Sequence, residues 1–238
     1  MLLFVARNNG LRVPLRGAFL SPVLLALYAV PFSFAYANLS TGTGALILFG
    51  SVQVTMLAAA VRRGERMRVA QWVGLGLALL GLALLTSPTL ATPSLVQAAL
   101  MAVAGVAWGL YSWRGRESTD PLAATTANFV LASPLAVSVS IAALPWAHVE
   151  GNGIVLAVAS GAVASGLGYV SWYAALRGLS GAQAAVVQLS VPVLAAAGGV
   201  VFLAELVSVR QVLSGALVLG GIALAIVGRE RLSRPSAS

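Results

Sequence analysis

The sequence has no cysteine, no lysine, one histidine and six acidic residues in a chain of 238. Without cysteine there are no disulfides and no thiolate metal sites, and the redox compartment is not readable. The single aspartate, Asp120, excludes a membrane-embedded aspartyl dyad. His148, the sole histidine, stands in the loop "PWAHVEGN" with no serine motif beside it, and no histidine and carboxylate cluster suits a metal. No catalytic residue, no metal and no cofactor is therefore expected, and the chain reads as a non-enzyme. Charge of either sign is scarce: 8% of residues are charged and 59% hydrophobic, against roughly 25% charged in a soluble globular domain. The mean hydropathy of +0.95 belongs to a membrane protein.

A helix needs about 20 apolar residues to cross a bilayer core. Eight uncharged stretches of that order occur: Gly17 to Leu39, Thr43 to Val61, Val69 to Ser87, Leu95 to Trp113, Pro121 to Leu144, Gly153 to Leu176, Gly181 to Leu203 and Gln211 to Gly228. They are too long for strands and lack alternation, so the predicted fold class is an all-α polytopic membrane bundle of eight transmembrane helices. Met1 to Ala6 is too short for either a leader or a span.

All fourteen basic residues are arginine. In an eight-span threading every one except Arg210 falls on one side: Arg7, Arg12, Arg16, the group Arg62 to Arg68, Arg114, Arg116, Arg177, and the closing Arg229, Arg231 and Arg234. The positive-inside rule makes that side cytoplasmic, with the C-terminus on it, in an inner (plasma) membrane of bacterial type. The net charge of +8 is thus topological. These short loops have no interleaved aromatics for stacking, so no nucleic-acid partner is expected.

A repeat is also present. "GSVQV" (Gly50 to Val54) resembles "LSVPV" (Leu189 to Val193), and "ERMRVAQWVGLGLALLGLAL" (Glu65 to Leu84) aligns with "ELVSVRQVLSGALVLGGIAL" (Glu205 to Leu224). "YANL" at Tyr36 likewise matches "YAAL" at Tyr173. The informative matches pair Glu65 with Glu205, Gln71 with Gln211 and Gly81 with Gly221, because acids, amides and paired glycines are rarer here. Equivalent spans lie five apart, and an odd separation forces the two copies to run in opposite senses across the bilayer. Inverted repeats with a midplane site are typical of secondary transporters. The expected division is an incomplete first repeat over 1–88, a second over 95–231 and a tail over 232–238. On this alignment Met1 to Ala6 corresponds to the end of the fifth span. It reads as the last turns of a helix with another before it, from a late start codon or a truncated gene, or else the chain is an eight-span variant.

The layout, the twice-repeated loop glutamate followed six residues later by glutamine, and the Gly-rich closing helices "GLGLALLGLALL" and "GALVLGGIALAI" resemble the EamA-type members of the drug/metabolite transporter superfamily. The resemblance spans Met1 to Arg231. It implies ten helices in two inverted five-helix repeats, cytoplasmic termini, and an exporter. The family often has proline where the seventh span has Pro192; the second span has Gln53 at the matching place.

No ionisable side chain falls inside a span, which argues against a carboxylate proton relay in these eight segments. The candidate substrate-binding residues are the polar and aromatic ones near mid-depth: Tyr28, Ser51, Gln53, Ser165, Tyr169, Gln188, Ser190 and Pro192, with Trp108 and Tyr111 toward the cytoplasmic half of the fourth span. Such a set suits a small zwitterion or neutral metabolite such as an amino acid, held by stacking and hydrogen bonds. Each of these residues also has a plain structural reading, as interhelical glue or interface anchor. Pro31, Pro134 and Pro192 each remove one backbone bond within a span. Glu65 and Glu205 read as helix caps or gate-edge residues. Small pairs such as Gly74 with Ala78, Gly161 with Ser165 and Gly221 with Ala225 permit close helix approach, inside the bundle or between two protomers, which leaves a homodimer open. The expected partners are the bilayer and a small-molecule substrate. The rival reading is a truncated or accessory membrane protein without transport of its own.

Overall fold

A computed structural model describes residues 19–146, 151–203 and 206–230. Among the described residues ten α-helices follow in chain order: α1 (Leu20–Tyr36), α2 (Thr41–Arg62), α3 (Val69–Thr86), α4 (Leu95–Gly115), α5 (Pro121–Ala143), α6 (Gly151–Val158), α7 (Gly166–Leu176), α8 (Gly181–Val187), α9 (Ser190–Leu203) and α10 (Val209–Glu230). The same residues hold no strand. Seven segments among them are long and apolar enough to cross a membrane. The first of the eight expected spans is not among the seven: α1 has 17 residues, about 26 Å at 1.5 Å per residue, just under the roughly 30 Å hydrocarbon core. The expected sixth span is not one regular helix, because Ala159–Ser165 between α6 and α7 is wound as a π-helix. Glu205, His148 and Met1 to Ala6 lie outside the described residues.

Polar residues at span ends set where the helices begin. Ser94 accepts from the Gln97 N–H at 3.3 Å, and Asp120 accepts from the Ala123 N–H at 3.0 Å with Pro121 in the first helical position. Ser180 and Gln183 cap each other reciprocally. The glutamines shared by the two repeats cap equivalent helices in the same way. Gln71 Oε1 accepts from the Arg68 N–H at 3.0 Å, and Gln211 Oε1 accepts from the Ser208 N–H at 2.7 Å.

The repeat equivalents α3 and α10 pack on one another, and their contacts are reciprocal. A Cβ on Gly221 would strike Gly74 O and the Ala78 N; a Cβ on Gly81 would strike Ser214 O and the Val218 N. Under the sequence alignment Gly81 corresponds to Gly221, Gly74 to Ser214 and Ala78 to Val218. Each contact therefore has its image with the two chain segments exchanged, as a two-fold axis between them requires. Advancing along α3 from Gly74 to Gly81 means retreating along α10 from Gly221 to Ser214, so the equivalent helices are antiparallel and the repeat is inverted. The backbones meet at glycine because any larger side chain would separate them.

Three arginine-bearing loops, α2 to α3, α4 to α5 and α7 to α8, meet at one end of the bundle. Arg116, after α4, reaches Glu65 of the α2 to α3 loop and Leu179 of the α7 to α8 loop, and Arg63 reaches Glu117. Buried apolar residues form one cluster around α1, α4, α7 and α8, a second around α3, α8 and α10, and a third near the start of α2.

The expected seventh span is two helices, and Pro192 explains the break. Having no N–H, Pro192 cannot bond to Gln188 O, which accepts from the Val191 N–H at 3.1 Å instead. The same tightening is present two residues back: the Leu189 N–H donates to Val186 O at 3.0 Å and not to Ala185 O. Ala185 O thus loses its helical donor in a position where its residue is fully buried. Gln53 of α2 supplies a replacement, its Nε2 donating to Ala185 O at 2.6 Å. At the place where one repeat carries proline, the other carries the amide that caps a carbonyl left free in the break just before that proline. The departure from the repeat pattern noted in the sequence is a physical complement.

Candidate functional site

Five aromatic rings meet where α1, α4, α5 and α7 converge. On α4, Trp108 and Tyr111 lie three residues apart and so share a face, with ring centroids 5.6 Å apart. Tyr28 of α1 approaches Trp108 to 4.9 Å. Tyr169 of α7 stands edge-on to Trp108 at 5.0 Å, and Phe129 of α5 edge-on to Tyr169 at 5.1 Å. Edge-on and offset rings set positive edges against negative faces, the favoured arrangement for aromatic pairs. Below them Tyr173 packs at 5.1 Å from Tyr111, in a space that exists because residue 115 is glycine: a Cβ there would strike the Tyr173 ring.

Amides hold the rings to the rest of the bundle. Gln188, at the break between α8 and α9, accepts from the Trp108 indole N–H, and its Nε2 donates to the Met56 thioether of α2 at 2.9 Å. Sulfur is a weak acceptor, so this N–H is poorly satisfied. Gln53 is 3% exposed and its Oε1 has no partner among the described residues. Asn128 of α5 donates to the Tyr111 and Tyr173 hydroxyls at 3.3 and 3.5 Å. The arrangement offers π-faces, hydroxyls, one free amide acceptor and one weakly held amide donor, with no formal charge.

Of the sequence candidates, Tyr28, Trp108, Tyr111, Tyr169 and Gln188 come together directly, and Gln53 lies one helical turn from Met56 on α2. Ser51 does not join them. It lines a groove of about 370 Å³ between α2 and α4 with Gly50, Val54, Thr55 and Val106, on a side where Val54 is 70% exposed. Ser165 ends the π-helical segment, Ser190 opens α9, and Pro192 acts through the backbone. Asn128, Phe129, Tyr173 and Met56 are additions that the structure makes to the set. A membrane-embedded amide such as Asn128 always needs a partner, and that rule is the signal the sequence offers for it; nothing in one sequence marks Met56 as an acceptor.

The comparisons with known proteins bear on this architecture. Residues 95–227 match the EamA-like transporter family. The chain belongs to that family. An uncharacterized protein of Pseudomonas aeruginosa is 47% identical over 216 residues, covering 91% of this chain and 75% of its own length. A protein of known crystal structure shares the fold with a TM-score of 0.80 at 20% identity, over 98% of this chain and 84% of that one. This chain is therefore a multi-pass membrane protein of a family whose members are transporters and not enzymes.

Proposed function

We propose that the chain is a secondary transporter, working as an exporter, of a small neutral or zwitterionic metabolite such as an amino acid, by alternating access between the inverted repeats. The observation that carries this reading is the uncharged cluster of Tyr28, Trp108, Tyr111, Tyr169 and Gln188, contributed by both repeats and lying beside a broken helix. A net ion entering this site would lose its hydration with no countercharge to replace it, whereas a neutral or internally compensated solute would gain stacking and hydrogen bonds. The arginine-rich end is cytoplasmic on this reading, and the membrane is the inner one. The breakpoints in the backbone, at Gln188 and through the π-helical turn, are the places where one repeat bends against the other.

Counterflow in proteoliposomes tests the proposal. Vesicles preloaded with each of a panel of neutral, zwitterionic, cationic and anionic solutes should show saturable exchange for members of the first two groups. Exchange confined to net ions, or equal flux in protein-free vesicles throughout, would overturn it. The accessory-subunit reading is favoured by one feature: every residue of 151–164 whose side chain is described is exposed, so α6 and the adjoining turn meet only lipid or another chain.

A further inference from the structure

At the arginine-rich end a single carboxylate joins elements of both repeats. Glu65, in the loop between α2 and α3, accepts from the Gly181 N–H at 3.0 Å through Oε1 and from the Ala182 N–H at 3.2 Å through Oε2. The same Oε1 lies 3.3 Å from Arg116 Nη1. Arg116 in turn donates from Nη2 to Leu179 O at 3.2 Å and lays its guanidinium 4.6 Å from the Trp113 ring centre. The loop of the first repeat, the end of α4 and the turn into α8 thus close on one another through a charge-assisted set of bonds. A second ion pair at the same end, Arg63 with Glu117, has the same 3.3 Å separation but side chains 66% and 70% exposed, against 21% and 27% for Arg116 and Glu65. Water screens the former and spares the latter.

The seating is specific. Gly181 lies against the Trp113 ring and the Arg116 guanidinium, so that a Cβ there would displace both. Glu65 is the charged anchor between the turn leading into α8 and the first repeat. Farther into the bilayer the ties from this region to α2 are neutral amides, Gln53 on Ala185 O and Gln188 on Met56.

We infer that Glu65, with Arg116, is the latch that closes the arginine-rich mouth of the transporter, and that opening the site to that side requires the α8 turn to leave the carboxylate. The inference rests on the alternating-access reading for its role in transport, but the latch itself is a statement about access and is measured without a substrate. Because the two repeats are bound here through a charge whose partners are backbone N–H groups and one guanidinium, removing the charge shifts the population toward the open mouth.

The chain contains no cysteine, so one introduced thiol reports alone. Ala60→Cys sits in the last turn of α2 at a position 0% exposed, and its rate of modification by a membrane-impermeant thiosulfonate added from the arginine-rich side reads the open population. Glu65→Gln in this background should raise that rate about tenfold. Arg116→Lys, which keeps a charge but loses the fork to Leu179 O and the stacking on Trp113, should give a smaller rise. Glu117→Gln should leave the rate unchanged. Parental rates in both Glu65→Gln and Arg116→Lys would overturn the latch, and so would an equal rise in Glu117→Gln. If Glu65→Gln fails to accumulate in the membrane, Arg116→Lys decides. Bridging Glu65→Cys to Ala182→Cys with a short bifunctional thiosulfonate should abolish counterflow reversibly, restored by reductant, whereas counterflow persisting in the bridged protein would show that this mouth need not open. A wild type without counterflow would sink the transport reading and leave the labelling result to stand by itself.

Discussion

α2 and the pair α8 and α9 are equivalent segments of the two repeats, yet one is an unbroken helix of 22 residues and the other is interrupted at Gln188 and Leu189. Within the shared motif the difference that bears on the break is Gln53 against Pro192. The break before the proline frees the buried Ala185 carbonyl, and the glutamine in the intact helix takes it up. The two copies have become complementary where they cross. A buried carbonyl left without a donor costs about 1–3 kcal/mol. Asymmetry between repeats is thereby a source of stability, and it concentrates bending in one of them.

Making the copies alike should undo this, and the most damaging way is Gln53→Pro. It puts proline in the interior of α2, at about 3 kcal/mol or more, and removes the cap on Ala185 O as well. We expect loss of folded protein, seen as disappearance of the monodisperse peak in detergent. Pro192→Ala works in the other direction. It restores an N–H to α9 and lets α8 and α9 join, at a gain in helix propensity of roughly 3 kcal/mol less whatever the refitting costs. The apparent melting temperature should rise while counterflow falls, because the bend is gone; a rise in both would show that the break has no part in transport. The mildest change is Gln53→Met, which keeps the shape of the side chain. It loses the bond to Ala185 O but also removes the unpaired Oε1, so the net cost should be about 1 kcal/mol. A small fall in melting temperature with an intact circular-dichroism spectrum checks it, and a fall as large as that of Gln53→Pro would mean that α2 depends on far more than this one bond.

Much of the fold was legible in one dimension. Span positions follow from apolar length, whereas the caps that Ser94, Asp120, Ser180 and Ser208 place at the starts of α4, α5, α8 and α10 were found in the structure. The gathering of Arg63, Arg116 and the α7 to α8 turn at one end follows from their spacing between spans. The break in the seventh span was less legible, because a proline in a membrane helix either kinks it or is absorbed, depending on what is free to take the orphaned carbonyl. Ser51 and Gln53 show the same limit within a single helix. They are two residues apart, hence on different faces, and depth along the span does not say which face turns inward. Ser51 lines an outer groove and Gln53 crosses to the opposite repeat.

The sequence by itself determined that this chain is an all-α polytopic membrane protein, roughly where its apolar spans lie, and that its two copies oppose each other. Length, charge and the parity of spans are all measured against a flat slab of hydrocarbon, so no neighbour need be known. Only the tertiary structure decided that Gln188 joins Trp108 to Met56, that Gln53 mends the break at Pro192, and that Glu65 closes on the turn into α8. Hydrogen bonds reach about 3 Å and require a particular direction. Whether two such groups meet depends on how each helix is rotated and where it crosses the next, which only the packed bundle specifies.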